Sequence, residues 1–221
     1  MRGHTAAAVT AIGSRLRLAF SRGSATEVEP VLAPAEARVP EVEFVAYAED
    51  CILSGHLRMP AERLSDLLND HHEFELIDVL VEDLAGGHGI ELRDMVVYRD
   101  ELLIVHASGP RGNAQRRQRT RQHPIVAKAG PYEVRGYIHV LPGSDPIASL
   151  RRRKSMIALT DAVVEYTVGS VPQQRRARVV ILNRDCVDWI VEGADEDVPM
   201  PDIPAEEGGP LAKDFTGQLR A

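Results

Sequence analysis

The chain has 221 residues and a formal net charge of −7, a length that accommodates one or two small domains. Its two cysteines, Cys51 and Cys186, stand at unrelated positions, which predicts no disulfide framework and a reducing, cytoplasmic location. No stretch approaches the roughly 20 apolar residues of a membrane-spanning helix, so no span is expected.

Residues 1–40 predict a flexible N-terminal arm. Pro30, Pro34 and Pro40 stand among Glu, Ala and Val without helix or strand periodicity. Arg15 and Arg17 interrupt the apolar run near the start, which argues against a secretory signal. A weak basic amphipathic helix that touches a membrane or a partner is the alternative.

Residues 41–108 predict a first small β-barrel with one short helix. Apolar residues alternate over 42–47 and 51–59, which is typical of strands, and Gly55 predicts a bend or bulge in the second strand. A short helix is expected over 61–69, followed by a strand over 74–83 and a variable loop. Two short strands hinged at Arg99 and Asp100 complete the unit.

The same pattern then recurs. The segment VAYAEDCILSGHLRM at 45–59 returns 81 residues later as VAKAGPYEVRGYIHV, and the offset grows to 83 and then 85 further along. This self-similarity indicates an internal duplication. Residues at matching positions are interpreted as packing and turn positions: Gly55, Gly136, Asp78, Asp161, Arg99, Asp100, Arg184 and Asp185.

The second copy is expected at 125–192, as another small β-barrel with a helix that starts at Asp145-Pro146. Residues 109–124 predict a basic linker between the copies. Residues 193–221 are acidic and rich in Pro and Gly, which predicts a disordered tail.

The two halves carry opposite charge. Residues 41–110 hold 4 basic and 16 acidic residues, a net charge of −12, whereas residues 111–190 hold 15 basic and 6 acidic residues, a net charge of +9. Complementary charge favours docking of the halves, within one chain or between chains, and the basic half could also attract a polyanion.

The order of a bent strand, an apolar-x-Asp strand, a variable loop and two short strands resembles the Sm-like (SH3-like) small barrel. It is also similar to a bacterial domain family of unknown function with the signature G-x-h-x-x-P, L-S-D-x-L-N, F-x-x-L-x-D-V. The first half matches this signature at Gly55, Pro60, Leu64, Ser65, Asp66, Leu68, Asn69, Phe74, Leu76, Asp78 and Val79.

The second half keeps Gly136, Pro142, Leu159 and Asp161 but replaces SDLLN by ASLRR. The resemblance implies a fold and no particular activity. The Asp, Asn and Arg-Gly spacing with which Sm proteins hold uridine is not found, so a uridine pocket is not carried over.

Basic residues are the candidates for binding a polyanion or a protein partner. They are Arg116, Arg117, Arg119, Arg121, Arg151, Arg152, Arg153, Lys154, Arg175, Arg176 and Arg178. Exposed aromatic residues that could stack on bases are scarce, with Tyr137 as the one plausible position in the second half.

No metal site, cofactor or catalytic residue is expected. His71 and His72 are adjacent and lack the ligand spacing of a metal site. We therefore expect a non-enzymatic interaction or assembly module that self-associates or binds a protein partner. A regulator that binds RNA or DNA through the basic second half is the alternative.

Overall fold

A computed structural model of the protein describes residues 39–110, 112, 115 and 118–194. The predicted arm, apart from its last two residues, and the predicted tail, apart from its first two, lie outside the described residues.

The first half contains five strands and one helix. The strands are β1 (Glu41–Tyr47), β2 (Cys51–Arg58), β3 (Glu73–Asp83), β4 (Ile90–Tyr98) and β5 (Ile104–His106), and the helix α1 (Leu64–Asp70) lies between β2 and β3. A 3-10 turn, Arg99–Glu101, connects β4 to β5. Leu64, Leu67 and Leu68 form the buried face of α1.

The second half has the same element order. Its strands are β6 (Arg121–Ala129), β7 (Tyr132–Val140), β8 (Met156–Val168), β9 (Val171–Asn183) and β10 (Trp189–Glu192), with helix α2 (Pro146–Arg151) between β7 and β8. A 3-10 turn, Arg184–Cys186, connects β9 to β10. Asp145 caps α2 through its side chain, and proline occupies the first turn, as the Asp-Pro pair predicts.

All ten strands form one antiparallel sheet in the order β10-β6-β7-β8-β9-β5-β1-β2-β3-β4. The prediction of a mainly β chain is therefore confirmed. The strands do not pair as two separate closed barrels, because β5 of the first half pairs with β9 of the second and the sheet stays open.

The strand pairing follows the same register in both halves. Phe44 lies opposite Gly55 in the first half, and Ile125 lies opposite Gly136 in the second. In each half the order of strands is fifth, first, second, third, fourth. Residues separated by the offsets 81, 83 and 85 thus occupy corresponding positions of the sheet, and we call them counterparts.

Each half contains a β-bulge opposite a glycine. The register of β2 against β3 shifts between Ser54 and His56, so that Gly55 faces two residues of β3. Asp78 in that bulge has φ 50°, and its counterpart Asp161 has the same value. Both aspartates were expected in turns but lie inside strands, where the bulge requires a left-handed backbone that Asp tolerates.

The glycines opposite the bulges are required by close approach. A Cβ on Gly55 would lie 2.9 Å from the carbonyl oxygen of Ile77, and a Cβ on Gly136 would lie 3.2 Å from that of Thr160. The neighbouring strand therefore occupies the space that a side chain would need.

The boundary of the predicted linker differs from the structure. β6 begins at Arg121, because this residue pairs with Val140 and extends the hairpin of β6 and β7. The basic linker of the described chain therefore ends before Arg121.

Within the described residues, no helix has the length and apolar character to cross a membrane.

Candidate interaction surfaces

The junction between the halves is a short ladder in the middle of the sheet. Ile104, Val105 and His106 of β5 pair with Leu182, Ile181 and Val180 of β9. Backbone bonds extend the ladder on both sides, from Ala107 N to Val179 O (3.1 Å) and from Asn183 N to Leu103 O (2.9 Å).

Apolar side chains cross this junction in both directions. Ile104 of the first half is fully buried in the core of the second half, and Ile181 of the second half is buried in the core of the first. Each core is thus completed by the other half. Burial of this kind stabilises the junction much more than exposed charge pairs can.

An aromatic cluster closes one end of the junction. The ring of Tyr47 lies 5.2 Å from that of Tyr132, 5.6 Å from that of Tyr166 and 5.3 Å from that of His106. The hydroxyl of Tyr132 donates to the carbonyl of Ala48 in the other half at 2.7 Å. These rings were not singled out by sequence, since Tyr47 and Tyr132 look like ordinary buried strand residues.

Burial shifts the titration of this cluster. Burial, the larger cause, and the charge of the nearby Arg175 guanidinium together lower the pKa of His106 to about 4. Burial likewise raises the pKa values of Tyr47 and Tyr132 above their usual range. The imidazole is therefore neutral at pH 7, with its Nε2 3.0 Å from the Tyr47 hydroxyl.

The end of α1 forms the polar part of the junction. The Asn69 side chain donates to the carbonyl of Met156 at 2.9 Å and accepts from its backbone N–H at 3.0 Å, as a strand would. Beside it, Lys154 pairs with Asp70 at 2.7 Å, and both side chains are exposed. This lysine hydrogen bond and charge hold the pKa of Asp70 below its usual range.

Asn183 is the buried polar residue on the other side of the junction. Its amide donates to the carbonyls of Leu102 at 2.9 Å and Arg99 at 3.3 Å, both in the first half. An apolar residue here would leave buried carbonyls without donors, at a cost of about 1–3 kcal/mol. Sequence periodicity offers no signal for this role.

The two Arg-Asp pairs lie in the 3-10 turns beside the junction. Arg99 contacts Asp100 at 3.1 Å, and Arg184 contacts Asp185 at 2.9 Å. Arg184 also donates through Nη1 to the carbonyls of Leu150, Arg151 and Arg153, so it caps the C-terminal end of α2.

The predicted basic residues differ in their burial and in their contacts. Arg116 and Arg117 lie outside the described residues. Arg153 is half-buried and donates to the carbonyl of His139, and Lys154 is part of the junction. Of the remaining candidates, Arg175 is half-buried. The others are exposed: Arg119, Arg121, Arg151, Arg152, Arg176 and Arg178.

The histidines of the rejected metal site lie on the surface. His71 and His72 are exposed between α1 and β3. In the part of the chain that the structure describes, no group of three or more His, Cys, Asp or Glu side chains could hold a metal ion.

The sheet has two open edges. β4 pairs on one side with β3, and β10 pairs on one side with β6; neither has a neighbour on its other side among the described residues. The β10 edge is apolar, with Trp189 45% exposed and Val191 48% exposed. Unpaired backbone N–H and C=O groups on such edges are ready to accept another strand.

The chain was compared with family models, curated proteins and solved structures, and none of them matches it.

Proposed function

We propose that this protein is a non-enzymatic interaction and assembly module, which binds polypeptide partners by adding strands at β4 and β10. The observation that carries the proposal is the pair of open edges at opposite ends of one sheet. β-strand addition provides affinity through backbone hydrogen bonds and specificity through the side-chain pockets beside them.

The central junction supports this mode of binding. β5 and β9 join two parts of the chain by a short antiparallel ladder that is reinforced by exchanged apolar side chains. The fifth strand of the first half, β5, thus pairs with the fourth strand of the second half, β9. The corresponding strands at the two ends of the sheet, β4 and β10, lack such a neighbour in the described chain.

The two halves are proposed to be copies of one small, Sm-like unit. The strand order, the register of the ladders, the bulge and its facing glycine support this proposal, because all four features recur at the predicted offsets.

Site-specific photocrosslinking in cells that produce the protein tests whether polypeptide partners bind at the two edges. A photoreactive residue would replace Arg93 on β4 or Val191 on β10, both exposed at the edges, and His56 on β2 as the control inside the sheet. We expect protease-sensitive adducts at the two edges and few at the control. Equal yields at all three positions, or no adducts at the edges, would contradict the proposal.

Nucleic-acid binding is the second candidate, favoured by a specific observation on β9. Arg176 and Arg178 project on the same side of this strand and are exposed, so they could contact successive phosphates. A photoreactive residue at Arg178 would then give nuclease-sensitive adducts. Protease-sensitive adducts at the edges without a nuclease-sensitive adduct at Arg178 would favour the assembly module.

A further inference from the structure

We propose that the outer face of the second half binds a linear, uncharged oligosaccharide along a row of five side chains, one from each of its strands. The outer face is the side of the sheet that points away from the core of that half. The row consists of Trp189, Lys128, Glu133, Glu165 and Gln174. The inference goes beyond the proposed function, because it concerns a sheet face and a small ligand rather than the sheet edges and a polypeptide.

The strand register aligns the five side chains of the row. Trp189 pairs with Lys128, Lys128 with Glu133, Glu133 with Glu165, and Glu165 with Gln174. Residues that pair directly across neighbouring strands project from the same face of the sheet. With strands about 4.8 Å apart, the row extends about 19 Å across the sheet, roughly the length of four linked pyranose rings.

The neighbours of the row residues along the chain lie in the core, so the row itself points outward. Ile190 packs against the core of the second half next to Trp189, and Ala127 and Ala129 are buried on either side of Lys128. The same core contains the residues that flank Glu133 and Glu165 in their strands, which are Tyr132, Val134, Val164 and Tyr166.

The matching row of the first half is covered by protein. Ile104, Tyr47 and Ile52 are the counterparts of Trp189, Lys128 and Glu133, and all three are buried in the core of the second half. The same place in the fold is therefore apolar where another half covers it, and it combines polar groups with an exposed aromatic ring in the second half. This combination suits a polar ligand rather than another apolar protein face.

The carboxylates of the row are held in place by other side chains. Arg135 donates to Oε1 of Glu133 at 2.7 Å through Nη2 and at 3.0 Å through Nε, and its Nη2 lies 3.6 Å from Oε2 of Glu165. Gln174 donates to Oε1 of Glu165 at 2.8 Å. Because a carboxylate offers about four lone pairs, both groups can also accept hydrogen bonds from sugar hydroxyls without giving up these contacts.

The two ends of the row match the two kinds of surface that a sugar presents. At one end, 45% of Trp189 is exposed, and an indole ring provides an apolar surface for the C–H face of a pyranose. At the other end, Glu133, Glu165 and Gln174 line an open groove of about 520 Å³. This volume lies within the range of about 300–1,000 Å³ that is usual for small-molecule sites.

The charge of the row favours an uncharged ligand. Lys128 and the adjacent Arg135 balance Glu133 and Glu165, so the face attracts neither polyanions nor polycations strongly. Since the row is straight, an extended β-linked chain fits it better than a coiled α-linked chain. Cellotetraose and chitotetraose, both linear and uncharged, are the probes.

The first experiment titrates the full chain with each probe and follows tryptophan emission together with calorimetric heat. Trp189 is the single tryptophan, so its emission reports one end of the row. We expect at least one probe to bind, to change the emission, and to bind more tightly than its disaccharide. A lack of binding up to the solubility limit of both probes, binding that leaves the emission unchanged, or affinity that is independent of chain length would overturn the inference.

The second experiment removes the aromatic end of the row. Trp189→Ala should weaken binding about tenfold or more in calorimetry, because the stacking surface is lost. Val191→Ala is the matched control, since Val191 is exposed on the same face of β10 but pairs with Val126, outside the row. Equal affinities of the two variants would contradict the proposed site.

The third experiment removes an amide at the groove and does not depend on the folding of the tryptophan variant. Gln174→Ala should weaken binding about two- to tenfold, the range expected for the loss of one hydrogen bond. Gln122→Ala makes the same change at an exposed position of β6 that pairs with His139, outside the row, and should bind as the wild type does. Equal effects of the two changes would place the sugar elsewhere.

The proposed function and this inference fail separately. Sugar binding along the row without photocrosslinked adducts at the edges would support the inference and count against the assembly module. Adducts at the edges without sugar binding would do the reverse.

Discussion

The two halves share one arrangement of strands but differ at the positions that meet another half. At the central junction the first half presents Tyr47, Asn69 and His106, which are packed and hydrogen-bonded. The second half has Lys128, Arg152 and Val191 at the corresponding positions. The inner junction is thus mostly apolar and its buried polar groups are satisfied, whereas the outer edge combines charged residues with partly exposed apolar ones.

This difference has a thermodynamic meaning. Burial of large apolar groups gives a junction that forms with folding, while exposed charges next to a small apolar patch give a weaker contact that depends on concentration and salt. The inner junction is therefore a permanent joint between the halves.

The largest expected effect is at Tyr132. This side chain is fully buried, contacts two other aromatic rings and donates to Ala48, so Tyr132→Ala should lower the free energy of unfolding by about 3–5 kcal/mol. Its counterpart Cys51 is also fully buried but small, and Cys51→Ala should cost only about 1 kcal/mol. Chemical denaturation measures both; similar losses would mean that the aromatic cluster adds nothing specific.

The pH dependence of stability should identify His106. Its pKa is lowered from 6.5 to about 4, so the unfolded chain binds the proton more readily than the folded one. The contribution of the neutral His106 side chain to the free energy of unfolding is complete above pH 6.5. As the pH falls toward 4, up to about 3 kcal/mol of this contribution is lost. Carboxylates titrate in the same range, which makes a neutral variant the necessary reference.

His106→Gln provides that reference, because glutamine does not titrate and the carboxylates are unchanged. Denaturation curves at several pH values should show a shallower loss of stability for the variant between pH 6.5 and 4. Parallel curves for the two proteins would show that His106 is not protonated differently in the folded and unfolded chains.

The bulges allow a comparison between matching glycines. Gly55→Val should cost about 1–3 kcal/mol, because its Cβ would lie 2.9 Å from a backbone oxygen that cannot move without breaking the ladder. The nearest atom to a Cβ at Gly136 is the methyl carbon of Ala162, at 3.1 Å. Gly136→Ala should therefore cost less than Gly55→Ala in thermal denaturation, and the reverse order would contradict this account.

Sequence patterns were sufficient for the strands and insufficient for their partners. Alternating apolar residues predicted β1 and β2, because these signals are local. Gly55 marked the position of the bulge, but the extra residue lies in β3, opposite Gly55, and not in β2. The pairing of β5 with β9 was missed, since only three residue pairs form it and a buried edge strand reads like any core strand. Asp78 was predicted to lie in a turn, because Asp is common in turns. The local sequence does not distinguish a turn from a left-handed residue inside a strand.

The candidate surface was predicted only by its charge. Opposite charge on the halves suggested docking, yet the junction depends mainly on buried apolar and aromatic groups, with Lys154 and Asp70 as an exposed pair. Asn69 appeared in the sequence as part of a family signature. Its contact with Met156 depends on the tertiary fold and has no local sequence signal.

The smallest expected effect separates Asn69 from its counterpart Arg152. Asn69→Ala removes the amide that both donates to and accepts from the Met156 backbone, so we expect a loss of about 1–2 kcal/mol in the free energy of unfolding, moderated because water can reach this partly buried site. Arg152 is exposed, and Arg152→Ala should change stability by less than about 0.5 kcal/mol in the monomer. Urea denaturation at a concentration where the chain is monomeric measures both. Equal losses would mean that the two positions contribute equally to the stability of one chain, and the distinction between a hydrogen-bonded inner junction and an exposed outer edge would then fail.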